Sequence, residues 1–201
     1  MKAIYLFIIT GLLVFTSISV KSQITITDTI YAVQDATINS EYPDSNYVNS
    51  NTFNCSSTNH DMPVRERSLI QFDISHIPSS AILLSSDLEL SGIEHSGKNE
   101  SQLCPLVLPW DENTVTWNTI LKYDASQGVI LPQSTISNQD YTVDLISVTK
   151  KWINGTLANN GLLLRLSTVY INEINQLSFA SNDYSDPTKR PFLIVRYEVD
   201  I

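Results

Sequence analysis

Ser68–Ser75 reads SLIQFDIS, and its alternation decides the fold class. Ile70, Phe72 and Ile74 fall on one face of an extended chain, and Leu69, Gln71 and Asp73 on the other. Successive side chains of a strand point to opposite sides, so the stretch predicts a strand with one face in a core. The same period of two recurs along the chain. Ile24 and Ile26 alternate with threonines, and Leu88 and Leu90 with Asp87 and Glu89. Leu193, Val195, Tyr197 and Val199 alternate with Ile194, Arg196 and Glu198. GLLLRL (161–166) and QLSFAS (176–181) add two short apolar runs, and turn-rich segments such as EYPDSNYVNSNTFN and SNDYSDPTKRP separate the strands. Many short strands spaced by turns predict an all-β protein, an antiparallel sandwich or barrel. The Asn/Ser-rich residues 39–58 are expected to form one long surface loop.

One segment departs from this period. In DLISVTKKWING, Leu145, Val148, Thr149, Trp152 and Ile153 recur at helical spacing. Asp144 can cap the start, Lys150 and Lys151 suit the negative end of the helix dipole, and Gly155 can supply a left-handed stop. One short helix is expected, with Trp152 pinned against the sandwich.

The first 22 residues, MKAIYLFIITGLLVFTSISVKS, have a basic start and an apolar run too short to span a bilayer. Val20 and Ser22 stand three and one residues before a cut at Gln23, the layout of a secretory signal peptide. Residues 1–22 are therefore read as a signal peptide and 23–201 as a single domain, secreted to the periplasm or beyond, with no membrane insertion after cleavage. Loss of Lys2 and Lys21 takes the formal charge from −9 to −11. Such a surface repels nucleic acid, and only a local basic patch would capture a polyanion. Export permits a Cys55–Cys104 disulfide; two separate buried thiols are the alternative.

Trp110–Asn118 reads WDENTVTWN. Asp111 and Glu112 are adjacent, and neighbours on a strand point apart, so they do not make an acid/base pair across a glycosidic bond. Trp110 and Trp117 are seven residues apart, an odd separation that on a regular strand places them on opposite faces. Trp117 is expected in the core with Val115, and Trp110 keeps the better claim to a sugar ring. The signatures of P-loops, zincins and serine-hydrolase elbows are missing from the sequence, and the protein is read as a non-enzyme. No cofactor is expected. A structural calcium would find oxygen donors at Asp44 and Asn46, in a spacing unlike an EF-hand.

Taken in order, QDATINSEYPDSNY, RSLIQFDISHIPSSAILLSSDLEL, WDENTVTWN, VDLISVTKKWINGTLANNGLLL and SNDYSDPTKRPFLIVRYEV resemble a DNRLRE-type domain, carbohydrate-binding module family 96. The resemblance implies a jelly-roll-like β-sandwich, export and association with polysaccharide-degrading proteins; some members bind alginate-like polysaccharide. The expected partner is thus a polysaccharide. Candidate contacts are Trp110, Tyr42, Tyr47, Tyr123, Tyr170 and Tyr184, whose rings can pack on a sugar. Arg65 and Arg190 add groups suited to carboxylates. A structural or adhesive envelope module with a protein partner, such as a glycan-degrading enzyme or an envelope protein, is the alternative. A small polysaccharide lyase or hydrolase is the second alternative.

Overall fold

The computed structural model describes residues 22–58, 63–169 and 173–201. The expected signal peptide, apart from Ser22, lies outside the described residues, as do His60 and Tyr170. Eleven strands and one helix follow in chain order among the described residues. They are β1 (Gln23–Asn39), β2 (Thr52–Ser57), β3 (Arg65–Phe72), β4 (Ile82–Leu90), β5 (Gly92–Ser96), β6 (Ser101–Pro105), β7 (Val129–Leu131), β8 (Tyr141–Asp144), α1 (Ile146–Ile153), β9 (Leu162–Leu166), β10 (Asn175–Ala180) and β11 (Phe192–Asp200). All the strand pairs are antiparallel. The fold is the all-β, jelly-roll-like sandwich expected, with its single short helix.

Two sheets face each other. The first runs β1–β11–β4–β8 and uses the first half of β1, where Gln23 pairs with Asp200 and Tyr31 with Phe192. The second uses the other half of β1, from Ala32 paired with Phe72 to Asn39 paired with Glu66. It continues through β3, β2, β10 and β5, while β9, β6 and β7 branch from β3. The register of β1 shifts between Ala32 and Gln34, leaving Val33 as an extra, exposed residue. A bulge sharpens twist and bends a strand, which lets one chain pass from sheet to sheet here.

The main core lies between the sheets. Leu88, Leu90, Leu193, Val195 and Tyr197 come from the first sheet; Phe53, Ile70, Phe72, Leu103, Leu164 and Phe179 come from the second. These are the inward residues of the alternations in β3, β4 and β11. Helix α1 buries Val148, Thr149 and Trp152, with the Asp144 carboxylate accepting the Ile146 N–H at 2.8 Å and Gly155 left-handed at φ +73° beyond its end. Thr149 Oγ1 meets Ser86 Oγ at 2.7 Å, so the buried hydroxyl of the helix is satisfied.

The Asn/Ser-rich segment does not stay a loop. Residues 52–57 form β2, central in the second sheet between β10 and β3 and almost wholly buried. Its polar side chains are paired: Asn54 Nδ2 and Ser56 Oγ donate to Glu66 at 2.6 and 2.9 Å. Composition alone reads such a segment as solvated, but the Glu66 carboxylate on the adjacent strand β3 offsets the cost of burying it.

The cysteines take the unbonded alternative. Both are free and buried. Cys55 lies in the main core with its sulfur 3.1 Å from Ser101 Oγ. Cys104 follows inward-facing Leu103 on β6 and therefore points through the other side of the sheet.

Candidate functional site

The outer face of the second sheet carries a second, smaller core. Ala36 and Ile38 of β1, Leu69 of β3 and Leu163 of β9 share this face and pack with Leu106 and Val115. The cover over them is the segment 106–124, which contains WDENTVTWN and is a succession of turns rather than a strand. Parity therefore does not apply to it. Trp110 and Trp117 both come down on the same small cluster, with Leu121 and Tyr123.

Local hydrogen bonds shape this cover. The Asp111 carboxylate accepts the Asn113 N–H at 2.8 Å, and its carbonyl accepts the Val115 N–H at 2.9 Å. Asp111 is thus a turn-former, and Glu112 donates its own N–H to Gln34 Oε1 at 3.3 Å. The neighbouring loop 40–51 clamps on top. Asn46 Nδ2 donates to the carbonyls of Glu112 and Val115 at 2.7 and 2.8 Å, and its Oδ1 accepts the Val48 N–H. Asp44 accepts from Asn118 Nδ2 at 2.7 Å. The two residues proposed for calcium serve here as loop clips, and among the described residues no group of three His, Cys, Asp or Glu side chains could hold a metal.

Arginines stand at the open end of this roof. Arg67 follows the parity of Leu69 on β3, and Arg165 that of Leu163 on β9, so both project outward. Ser68 pairs with Leu164, which places Arg67 and Arg165 as the next cross-strand neighbours. The Arg67 guanidinium lies 5.0 Å from the Trp117 ring centre and 5.9 Å from that of Tyr123; Arg165 lies 5.9 Å from Tyr123 on its own account. Burial pushes the Arg67 pKa down, Tyr123 opposes this, and the charges of Arg165 and Arg65 push it further down. Among the described residues none of these three arginines forms an ion pair. Glu66, the nearest carboxylate in sequence, is taken up by Asn39, Asn54 and Ser56.

Two depressions open here. One, of about 90 Å³, lies where β2 and β9 diverge from β3 and is lined by Ser56, Arg65, Glu66, Arg67 and Arg165. The other, of about 380 Å³, is lined by Ile38, Arg67, Trp117, Asn118 and Ile120, with Ile120 82% exposed. Like charges opposed across strands cost stability. In a chain with 21 acids and 12 bases, three arginines without an ion pair, two of them beside the rings of Trp117 and Tyr123, make a basic, ring-lined patch on an acidic surface. Planar guanidinium groups suit oxyanions, and the rings suit the C–H face of a sugar.

The residues expected at a site are only partly gathered here. Tyr123 and Arg65 belong to the patch. Trp117, expected in the core, is half-buried at its rim beneath Arg67. Trp110 is also half-buried, and its indole N–H donates to the Asn160 carbonyl at 2.9 Å, tying the cover to the turn before β9. Tyr47 is bridged to Thr37 on the loop 40–51, where Tyr42 is exposed. Arg190 donates through Nε to the Tyr184 carbonyl at 3.0 Å, so these two hold their own turn. GLLLRL reads as a buried run and gives Arg165 no local signal; only the pairing with β3 brings it beside Arg67.

His76 bonds Asp28 at 3.1 Å, and His95 lies 3.4 Å from Asn99 Nδ2. No curated protein matches the sequence. A family model does, that of carbohydrate-binding module family 96, over residues 26–197. That span takes in both sheets, the roof of turns and all three arginines, and the chain belongs to carbohydrate-binding module family 96.

Proposed function

We propose that this protein is an exported, non-catalytic module that binds an acidic polysaccharide on the outer face of the second sheet. Arg65, Arg67 and Arg165 receive carboxylate or sulfate groups, and Trp117 and Tyr123 receive the apolar side of the rings. The observation that supports this most is the Arg67 guanidinium, set between Trp117 and Tyr123 beside Arg165 without an acidic partner. The exported form's net charge of −11, from −9 less Lys2 and Lys21, opposes long-range capture of a polyanion, so the patch acts at short range and makes binding selective. The family supports carbohydrate as the ligand class.

Affinity electrophoresis through gels containing single polysaccharides tests this. Retardation is expected on a polyuronate or sulfated glycan, weakened by 0.5 M salt and lost in the double variant Arg67→Gln/Arg165→Gln with an unchanged melting profile. Retardation that survives the double variant, or none on any acidic glycan, overturns the reading.

A further inference from the structure

The pair Asn-Gly occurs twice in the sequence, at Asn154–Gly155 and Asn160–Gly161. Such a pair carries a reaction of its own. The glycine nitrogen can attack the carbonyl carbon of the asparagine side chain, and without a Cβ on the glycine that approach is open. The bond from this carbon to Nδ2 breaks, and ammonia leaves with the proton of the glycine nitrogen. Water then opens the cyclic imide at either carbonyl, giving aspartate or isoaspartate. In a folded protein the rate depends on how the reacting groups are held.

The two pairs are held in opposite ways. A Cβ on Gly161 would lie 2.2 Å from the Ile70 carbonyl oxygen, so this peptide is packed on β3. The Gly161 N–H donates to Asn159 Oδ1 at 3.3 Å. Asn160 Nδ2, the group that would have to leave, donates to the Val107 carbonyl at 3.0 Å, and the Asn160 carbonyl accepts the Trp110 N–H at 2.9 Å. Asn154 and Gly155 instead follow the end of α1 and are exposed. A Cβ on Gly155, which is left-handed at φ +73°, would meet nothing within 4 Å. Among the described residues nothing bonds Asn154 Nδ2. The Gly155 N–H donates to the Trp152 carbonyl at 3.2 Å, in the last turn of the helix, which is the part that opens first.

Thr156 completes the arrangement. Its N–H and its hydroxyl both donate to Asn154 Oδ1, at 3.0 and 2.7 Å. The Lys151 carbonyl, at 3.5 Å, is the more distant acceptor for that hydroxyl. A turn of this kind folds the side-chain amide back over the following peptide. It also aims two donors at the oxygen that gains negative charge when the nitrogen attacks. From this we infer that Asn154 is a site of spontaneous deamidation in the folded protein, that Thr156 is its positioning residue, and that Asn160 is protected. The product carries a new carboxylate at the negative end of the α1 dipole. As isoaspartate it also adds a carbon to the backbone that leads from α1 to Asn159 and Asn160. The inference is independent of the arginine patch and of its ligand.

Tandem mass spectrometry of the folded protein, sampled during storage in mildly alkaline buffer, tests the site. Both asparagines fall in one tryptic peptide, residues 152–165, between Lys151 and Arg165, so fragment ions report each against the other. The mass gain from replacing the amide by an acid is expected to accumulate at Asn154, as aspartate and isoaspartate, with Asn160 intact. In urea, where the packing around Gly161 is lost, both are expected to react. Thr156→Ala is expected to slow the reaction at Asn154 about two- to tenfold in the folded protein and to leave the rate in urea unchanged. Thr156→Ser keeps the hydroxyl and is expected to restore the parent rate. The inference falls if Asn154 stays intact in the folded protein, if Asn160 reacts there as fast, or if Thr156→Ala and Thr156→Ser react alike.

Discussion

Arg67 and Asp35 sit on the paired strands β3 and β1 and are opposite in circumstance. Arg67 is an outward charge on β3 kept near other cations, whereas Asp35 is a carboxylate 3% exposed on β1. Burial is the main cause that raises the Asp35 pKa to about 6. The Asn182 N–H, donated at 2.7 Å, pulls it back, and the charges of Asp183 and Glu112 raise it again. The folded protein therefore holds this proton more tightly than the unfolded chain, where an aspartate titrates near 3.9. The stabilisation from this group is complete below about pH 4 and is lost as pH rises through about 6. Asp35→Asn keeps an oxygen for Asn182 and removes the buried charge. It is expected to raise stability near pH 7 by about 1–3 kcal/mol and to flatten the pH dependence between 4 and 6, read by urea denaturation at several pH values. An unchanged pH profile would show that Asp35 is not the group responsible.

Among the elements, α1 was fully legible. Its spacing, its Asp144 contact and its glycine stop are local signals, and local signals survive any tertiary arrangement. WDENTVTWN was not, because a turn succession has no periodicity to read and its place is set by strands it does not adjoin. The turn before β9 shows how tightly that cover is tied down. Gly161 is left-handed at φ +79°, and a Cβ there would lie 2.2 Å from the Ile70 carbonyl oxygen. Its carbonyl accepts the Leu106 N–H at 2.9 Å, where the cover begins. Gly161→Ala is expected to destabilise the protein by about 2–4 kcal/mol, seen as a lowered urea midpoint with an unchanged slope. A shift within error of zero would mean that the backbone there relaxes freely.

For the molecule as a whole, the two cysteines make a test of topology. Cys55 and Cys104 lie on opposite faces of one sheet, and burial pushes the Cys55 thiol up to about 12 and the Cys104 thiol in the same direction. Reductant is therefore expected to leave the melting temperature unchanged, and both thiols should react with a thiol reagent only after unfolding. A melting temperature that falls on reduction would instead reveal a disulfide. The alternation of Ile70, Phe72 and Ile74, and of Leu193, Val195 and Tyr197, determined by itself that this chain is an antiparallel β-protein with a core between two layers, because side-chain direction along a strand is a local matter. The ordered segments around them determined the family. Only the tertiary structure decided that polar β2 is central, that both tryptophans of WDENTVTWN roof the same small cluster, and that Arg67 and Arg165 meet above Tyr123. The last depends on strand register between residues about a hundred positions apart, and pairing at that distance leaves no periodicity in the chain.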